Sequence, residues 1–192
     1  MDRGTVAESA GRPRRADAQR NRERVLRTAA EVFAADGLSV PVHEIARRAG
    51  VGTGTVSRHF PTKESLFAAV LLDRMRELAA YADAKAADSD AGTAFFALFT
   101  RLVQEGAAHR GLAEALAGAG FDIEAAATAA DCNVSDRLRR LLSDAQEAGA
   151  VRAEITFADL KALTAGCLAY EGPDPDRVID VICTGLRSHA ES

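Results

Sequence analysis

The sequence has no tryptophan, few aromatic residues and only three cysteines among its 192 residues. Aromatic residues make up 5% of the chain, too few to build the stacking surfaces that bind single-stranded nucleic acid. Cys132, Cys167 and Cys183 are odd in number and far apart, which argues against a disulfide scaffold or a structural zinc site. We therefore predict reduced thiols, no bound metal and a cytoplasmic protein.

Long apolar runs are also missing. The purest apolar stretch, residues 93–100, is far shorter than the roughly 20 residues that a membrane-spanning helix needs. The first residues are polar and basic and lack the apolar segment of a secretory signal. Hydrophobic residues nevertheless make up 47% of the chain and charged residues 27%, which is typical of a globular protein with a core. The sequence therefore predicts no membrane partner.

Signatures of catalysis are absent from the sequence as well. It has no nucleophile elbow, no Walker loop and no paired catalytic carboxylates. Residues 50–55 resemble a dinucleotide-binding loop, but that motif needs glycine at position 55, and the preceding element is predicted to be a helix. The four histidines are scattered, and we expect His109 to be a surface residue near a helix end. We predict that the protein is not an enzyme and uses no cofactor.

The net charge of −4 conceals an asymmetry along the chain. Residues 1–63 hold 12 Lys and Arg residues against 7 Asp and Glu residues, a net charge of +5. Residues 64–192 carry a net charge of −9. A basic N-terminal part on an acidic body indicates one surface that meets phosphate and another that is kept away from it. Charge alone leaves a second interpretation open, a soluble protein with a basic tail.

Helical periodicity runs through the sequence and strand signals are nearly absent, so we predict an all-α fold with about nine helices. Residues 1–16 have little apolar content and predict a flexible basic arm. The first predicted helix runs from about Asp17 to Asp36, and Gly37 supplies its left-handed stop. Pro41 is expected as the first residue of the second helix.

The remainder of the chain predicts a second, alanine-rich helical body. The fourth helix carries Leu66, Val70, Arg74 and Leu78, and frays near residues 88–90. Thr156 and Asp159 have the spacing of a capping box, which predicts a helix start. The helices predicted after the fourth cover about residues 92–109, 112–118, 134–148, 157–170 and 175 onward.

The segment of residues 41–60 carries the strongest functional signal. Two short amphipathic helices are joined by residues 50–52, a turn too short for antiparallel packing, so the pattern predicts a helix-turn-helix. The second of these helices covers about residues 53–59, and apart from Val56 it has only small or polar side chains. In a major groove its threonines can meet base edges and Arg58 can pair with guanine, while Lys63 stands at a helix N-terminus that favours phosphate. A surface helical hairpin is the alternative interpretation.

Residues 20–70 resemble the DNA-binding domain of the TetR family of bacterial transcriptional repressors. The resemblance implies an N-terminal three-helix DNA-binding domain over residues 17–72, with its helix-turn-helix at 41–60. It further implies a larger C-terminal helical domain over residues 73–192 for ligand binding and dimerisation. The residues that carry the resemblance are Ile45-Ala46-Arg47-Arg48-Ala49-Gly50-Val51, Gly54-Thr55-Val56, His59-Phe60-Pro61-Thr62-Lys63-Glu64 and Leu66.

The resemblance also implies which side chains meet double-stranded operator DNA. Two positions depart from the family pattern. Ser57 stands where the family usually has tyrosine, which shortens a phosphate and packing contact, and Gly52 replaces the usual capping Ser or Thr. The implied DNA-binding residues are Val42, His43, Thr53, Gly54, Thr55, Ser57, Arg58, His59 and Lys63.

In the second domain, apolar residues with few charges on the same faces predict a pocket for an unknown small-molecule effector, apolar or aromatic and weakly charged. The same residues would also make an ordinary core. The last two predicted helices are expected to form the homodimer interface, because the family resemblance implies it and because the last helix carries an apolar stripe beside a small glycine. The predicted pocket residues are Phe96, Phe99, Val103, Phe121, Leu142 and Cys167, and the predicted interface residues are Val178, Ile182, Gly185 and Leu186.

Together these features predict a ligand-responsive regulator, a repressor that binds a palindromic operator as a homodimer and is released by a small molecule. One alternative is a helix-turn-helix interaction module without an effector, which an operator titration would identify. The other is an enzyme, which would need a nucleophile and base that the sequence does not reveal.

Overall fold

The computed structural model describes residues 11–188, with side chains from residue 17 onward. This range folds into ten α-helices with no strand, and one isolated β-bridge joins Val151 to Arg187. The all-α prediction is confirmed. In the same range, no helix combines the length and the apolar character needed to cross a membrane. The helices are α1 (Gly11–Asp36), α2 (Val42–Arg48), α3 (Thr53–His59), α4 (Lys63–Asp88), α5 (Ala91–Ala108), α6 (Arg110–Gly118), α7 (Ile123–Ala129), α8 (Val134–Glu147), α9 (Phe157–Ala169) and α10 (Pro175–Leu186).

Helix α1 begins six residues earlier than the predicted start at Asp17. Residues 11–16, which we expected in a flexible arm, are therefore helical, and residues 1–10 of that arm lie outside the described residues. The reason is that arginine and alanine are good helix formers, and Pro13 falls in the first turn, where a helix needs no N–H donor.

The chain divides into two compact units between Val70 and Leu71, within α4. The predicted domain boundary was two residues later. In the first unit, α1, α2 and α3 all pack on one another. The rings of Phe33 and Phe67 meet edge to face with centroids 5.0 Å apart. Gly50 follows α2 with a φ of +63°, a conformation that glycine adopts without strain, and so allows the tight turn into α3.

The second unit has its own core, in which α5 packs against α8, α9 and α10. Phe95 and Phe99 are fully buried and their rings stack. The capping box at the start of α9 is present, with Asp159 N donating to Thr156 Oγ1 and Thr156 N donating to Asp159 Oδ2. Burial of these apolar faces, together with local caps, holds the helices in place.

The helix that the sequence did not predict is α7. Asp122 caps it by accepting a hydrogen bond from the backbone N–H of Ala125 at 2.9 Å. Five of its seven residues are alanine or threonine, and only Ala127 is buried, so its apolar periodicity is weak. The prediction of about nine helices is corrected to ten in the described part of the chain.

Candidate functional site

Helix α3 buries one side chain, and its other residues are exposed or half-buried. Val56 is fully buried and is the only buried residue of this helix. A seven-residue helix with one apolar anchor stays in place because α1 and α2 hold it. Of the implied DNA-binding residues, Val42, Thr55 and Lys63 are half-buried, and His43, Thr53, Gly54, Ser57, Arg58 and His59 are exposed.

The start of α3 has no side-chain cap. Gly52 occupies the N-cap position in an extended conformation and offers no side-chain acceptor to the first turn. Pro41 occupies the corresponding position of α2, so it precedes the helix by one residue instead of being its first residue as predicted. Backbone N–H groups in the first turn of α3 are therefore available to an external acceptor, which phosphate provides.

Arg58 lies along its own helix. Its Nε donates a hydrogen bond to the backbone oxygen of Gly54 at 2.9 Å. This bond orients the side chain while the residue stays exposed, so the terminal guanidinium nitrogens remain able to donate to a base edge. Gly54 contributes a second feature, because a Cβ at this position would meet nothing within 4 Å, and the helix surface there is open.

Two arginines of α2 are engaged by carboxylates of the first unit. Arg47 Nη2 and Arg48 Nε lie 2.7 and 2.8 Å from Glu44 Oε1, and Arg48 Nη1 lies 2.5 Å from Asp36 Oδ2. The hydrogen bonds from Arg47 and then Arg48 lower the pKa of Glu44 from 4.5 to about 2. These pairs offset part of the positive charge of α2.

Lys63 stands in the first turn of α4. Ser65 N donates to Thr62 Oγ1 at 3.0 Å and Thr62 N donates to Ser65 Oγ at 3.1 Å, so this helix start is capped from both sides. The Lys63 ammonium lies 5.8 Å from the centroid of the Phe67 ring. This contact holds the lysine at the helix N-terminus, where its charge and the helix dipole both favour an anion.

The predicted dimer residues do not share one environment. Leu186 is buried in the core, Val178 and Ile182 pack against that core, and Gly185 is exposed. The large apolar residue that α10 exposes is Val181, at 64% of its surface. The predicted interface residues did not include Val181, because periodicity alone does not show which apolar residue the protomer leaves uncovered.

The predicted pocket residues lie mostly in the core. Phe96, Phe99, Val103, Leu142 and Cys167 are buried, and Phe121 is half-buried. Two largely apolar cavities lie elsewhere in the second unit, and none of the six residues lines either one. Phe96 borders a third, more polar cleft of about 560 Å³, where Arg187 lies over its ring.

The first apolar cavity, called cavity A, has a volume of about 350 Å³ and lies among α4, α5, α8 and α9. The second, cavity B, has a volume of about 260 Å³ and lies among α4, α5, α6, α7 and α9. Sequence reasoning missed both. Arg74, which lines cavity B, was the available signal, because it interrupts an apolar stripe of α4. The residues that line both cavities are Met75, Leu78, Leu102 and Leu168.

His109 is a further surprise in the second unit. We expected it at the surface, yet its side chain is only 10% exposed and lines cavity B. Its Nδ1 lies 3.1 Å from the backbone oxygen of Glu105 and donates to it. Within residues 11–188, no three His, Cys, Asp or Glu side chains come together as metal ligands.

Comparison with known proteins addresses both units. Residues 25–70 match the family model for bacterial regulatory proteins of the tetR family, and residues 90–188 match the C-terminal domain of SbtR-like transcriptional regulators. Among curated proteins, 64 residues are 42% identical to the HTH-type transcriptional regulator SrpR of Pseudomonas putida. That match covers 33% of this chain and 30% of SrpR.

Solved structures extend the likeness to nearly the whole chain. A TetR transcription regulatory protein from Mycobacterium vanbaalenii is 47% identical with a TM-score of 0.73, over 90% of this chain and 98% of that one. The TetR transcriptional regulator SCO0520 from Streptomyces coelicolor is 30% identical with a TM-score of 0.72, over 88% of this chain and 99% of that one. With an exposed polar α3 on a three-helix unit and these matches over both units, the chain belongs to the TetR family of DNA-binding transcriptional regulators.

Proposed function

We propose that this regulator is a repressor that binds a palindromic operator as a homodimer and releases it when a small molecule binds the second unit. The observation that carries the DNA-binding part is α3, whose one buried residue anchors a helix of exposed polar side chains. A helix of this kind fits the major groove, where hydroxyl and guanidinium groups read base edges. The three cysteines of the chain are free thiols, which fits a protein that acts in the cytoplasm.

We expect a dimer because a single α3 is too short to contact a whole palindromic operator. One α3 reads half of an operator, and two copies related by a two-fold axis read half-sites about 34 Å apart, or a multiple of that spacing. The pairing surface that we propose is the outer side of α9 and α10, which contact each other within the protomer. Val181 is exposed there, and α9 exposes the small residues Ala162, Ala165, Gly166 and Ala169, which allow close helix approach.

Release requires a ligand that binds the DNA-incompetent arrangement more tightly than the DNA-bound one. Helix α4 is continuous from Lys63 to Asp88, and its residues Met75 and Leu78 line both apolar cavities. A coupling of about 1–3 kcal/mol would change operator affinity by roughly 5- to 150-fold, and operator would weaken ligand binding by the same factor.

The test is an operator titration with matched alanine variants of three basic residues. We expect Arg58→Ala to relax sequence preference, and Lys63→Ala to weaken binding to all sequences about equally. Because a dimer carries two copies, Lys63→Ala should also lower the slope of log affinity against log salt by about 2. Arg140→Ala, a change of equal charge in the second unit, is the control. Wild-type affinity, discrimination and salt slope in both test variants would refute the assignment.

A further inference from the structure

The first half of helix α1 lies outside the core of the first unit. The buried residues of α1 that the structure describes all fall between Val25 and Phe33. Residues 11–24 precede them and form about 21 Å of helix at a rise of about 1.5 Å per residue. Among residues 17–24, whose side chains are described, none is buried. Because helices in proteins draw most of their stability from packing, this half of α1 is a candidate for contact with a partner.

Positive charge in the first unit is concentrated in this half of the helix. Residues 11–24 hold six arginines against Asp17 and Glu23, a net charge of +4. Residues 25–63, which include the whole helix-turn-helix, hold 5 Lys and Arg residues against 3 Asp and Glu residues, a net charge of +2. The six arginines are Arg12, Arg14, Arg15, Arg20, Arg22 and Arg24.

The composition of residues 11–24 also decides what kind of partner they fit. Their only apolar side chains are those of Pro13, Ala16 and Ala18. A helix without an apolar stripe has nothing to bury against another protein helix or in the apolar part of a bilayer. A basic helix of this kind fits a polyanion.

The face of α1 that packs in the core continues into this half as a basic face. Position 15, Arg22, Leu26 and Phe33 are separated by 7, 4 and 7 residues, so they follow one side of the helix. Leu26 and Phe33 are buried, whereas Arg22 is half-buried and its guanidinium carbon lies 5.6 Å from the centroid of the Phe60 ring. This side of α1 therefore changes from apolar to basic at the level of Phe60.

Two contacts place this half of α1 beside α3. Phe60, which Arg22 contacts, directly follows α3, and Gly50 lies in the turn that precedes α3. Arg24 Nη2 donates to the backbone oxygen of Gly50 at 3.3 Å. Residues 11–21 add about 16 Å of helix before this point. The major groove is about 12 Å wide and has a phosphate strand on each side, so phosphates flank α3 within the length of this segment.

We propose that residues 11–24 of α1 are a second DNA-binding element, which binds phosphates outside the bases that α3 contacts. This inference deepens the proposed function and rests on it. Arginine suits the role because its guanidinium donates to two phosphate oxygens at once. Arg24 is exposed, and Arg20 stays 67% exposed beside Asp17. Contacts of this kind add affinity and fix the orientation of the protein on the duplex, but they carry no base information.

The test compares two pairs of neighbouring arginines. Arg14→Gln/Arg15→Gln removes two charges from α1, and glutamine is a good helix former, so the helix should persist. Arg139→Gln/Arg140→Gln is the matched control, because it removes two neighbouring charges from α8 in the second unit. Circular dichroism should show wild-type helix content in both variants.

Binding is measured by fluorescence anisotropy over a salt series, with a duplex that the wild-type protein selects from a random-sequence pool. Each phosphate contact contributes about 0.9 to the slope of log affinity against log salt. Two arginines in each of two subunits make about four contacts, so Arg14→Gln/Arg15→Gln should lower the slope by about 3 to 4. Arg14→Lys/Arg15→Lys keeps the charges and should keep the slope, as should the control pair in α8.

Ethylation interference locates the contacts on the duplex. Ethylated phosphates outside the selected bases should block binding of the wild-type protein and no longer affect Arg14→Gln/Arg15→Gln. Discrimination between the selected duplex and a mismatched one should be equal in the two proteins, because the lost contacts read no bases.

The outcomes separate this inference from the proposed function. A salt slope equal to that of Arg139→Gln/Arg140→Gln, or an unchanged set of blocking phosphates, would overturn the inference. Failure of the proposed function is a different result, in which the wild-type protein selects no sequence from the pool. A protein that discriminates through Arg58 but keeps its slope in Arg14→Gln/Arg15→Gln retains the function and loses the second element.

Discussion

The exposed valine of α10 offers a direct test of how two copies pair. We expect Val181→Glu to produce monomers whose protomer fold is unchanged. Val181 is 64% exposed, so its side chain contributes little to the protomer core and its loss should not unfold the chain. In a two-fold interface each substitution acts twice, and two glutamates would also be brought near one another.

The magnitude follows from the area that the dimer would cover. Complete burial of a valine side chain contributes about 1.5–3 kcal/mol. Covering the 64% that the protomer leaves exposed contributes about 1–2 kcal/mol per subunit, or about 2–4 kcal/mol for two copies. Since about 1.4 kcal/mol corresponds to a factor of ten, the dimer dissociation constant should rise by roughly 30- to 1000-fold. Burial of a carboxylate adds to this figure, which is therefore a lower bound.

Sedimentation equilibrium over a concentration series measures the dissociation constant, and circular dichroism checks the helix content. Ala117→Glu, at an exposed position of α6, introduces the same charge away from α10 and should leave the dimer intact. Ile182→Glu is a less specific test, because Ile182 packs against its own core and the change should also lower the free energy of unfolding. A Val181→Glu variant with the wild-type dissociation constant would refute this pairing surface.

Two further predictions concern stability. Phe99→Ala should lower the free energy of unfolding by about 3–5 kcal/mol in urea titrations, because the ring is fully buried and stacks on Phe95. The substitution should not change the binding of small apolar molecules to cavities A and B, because Phe99 lines neither cavity. A loss of such binding in a folded variant would contradict this expectation. Glu44→Gln should lower the urea midpoint above pH 4.5. The difference from wild type should disappear as pH falls towards about 2, since a pKa lowered by folding stabilises only the ionised form. A difference that is independent of pH would show that the ion pairs with Arg47 and Arg48 are not its cause.

The elements that the sequence predicted well are those whose signals are local. Residues 53–59 form α3 with the predicted bounds, because a glycine turn precedes the helix and a proline follows it closely. The Thr156–Asp159 capping box needs only two side chains three residues apart, and it forms as predicted. Residues 20–70 also suffice to identify the family, since the helix-turn-helix side chains follow one another without gaps.

Periodicity alone does not show what covers an apolar face, and only the tertiary structure decided this. The sequence presents Phe99, Val181 and Leu186 as equally apolar residues, yet packing of α5, α8, α9 and α10 buries two of them and leaves Val181 exposed. The cavities likewise depend on side chains from several helices, four around cavity A and five around cavity B. Burial and cavity volume are properties of the three-dimensional arrangement. Short-range sequence patterns determine where helices and turns form. Packing determines which side chains are buried and where cavities remain.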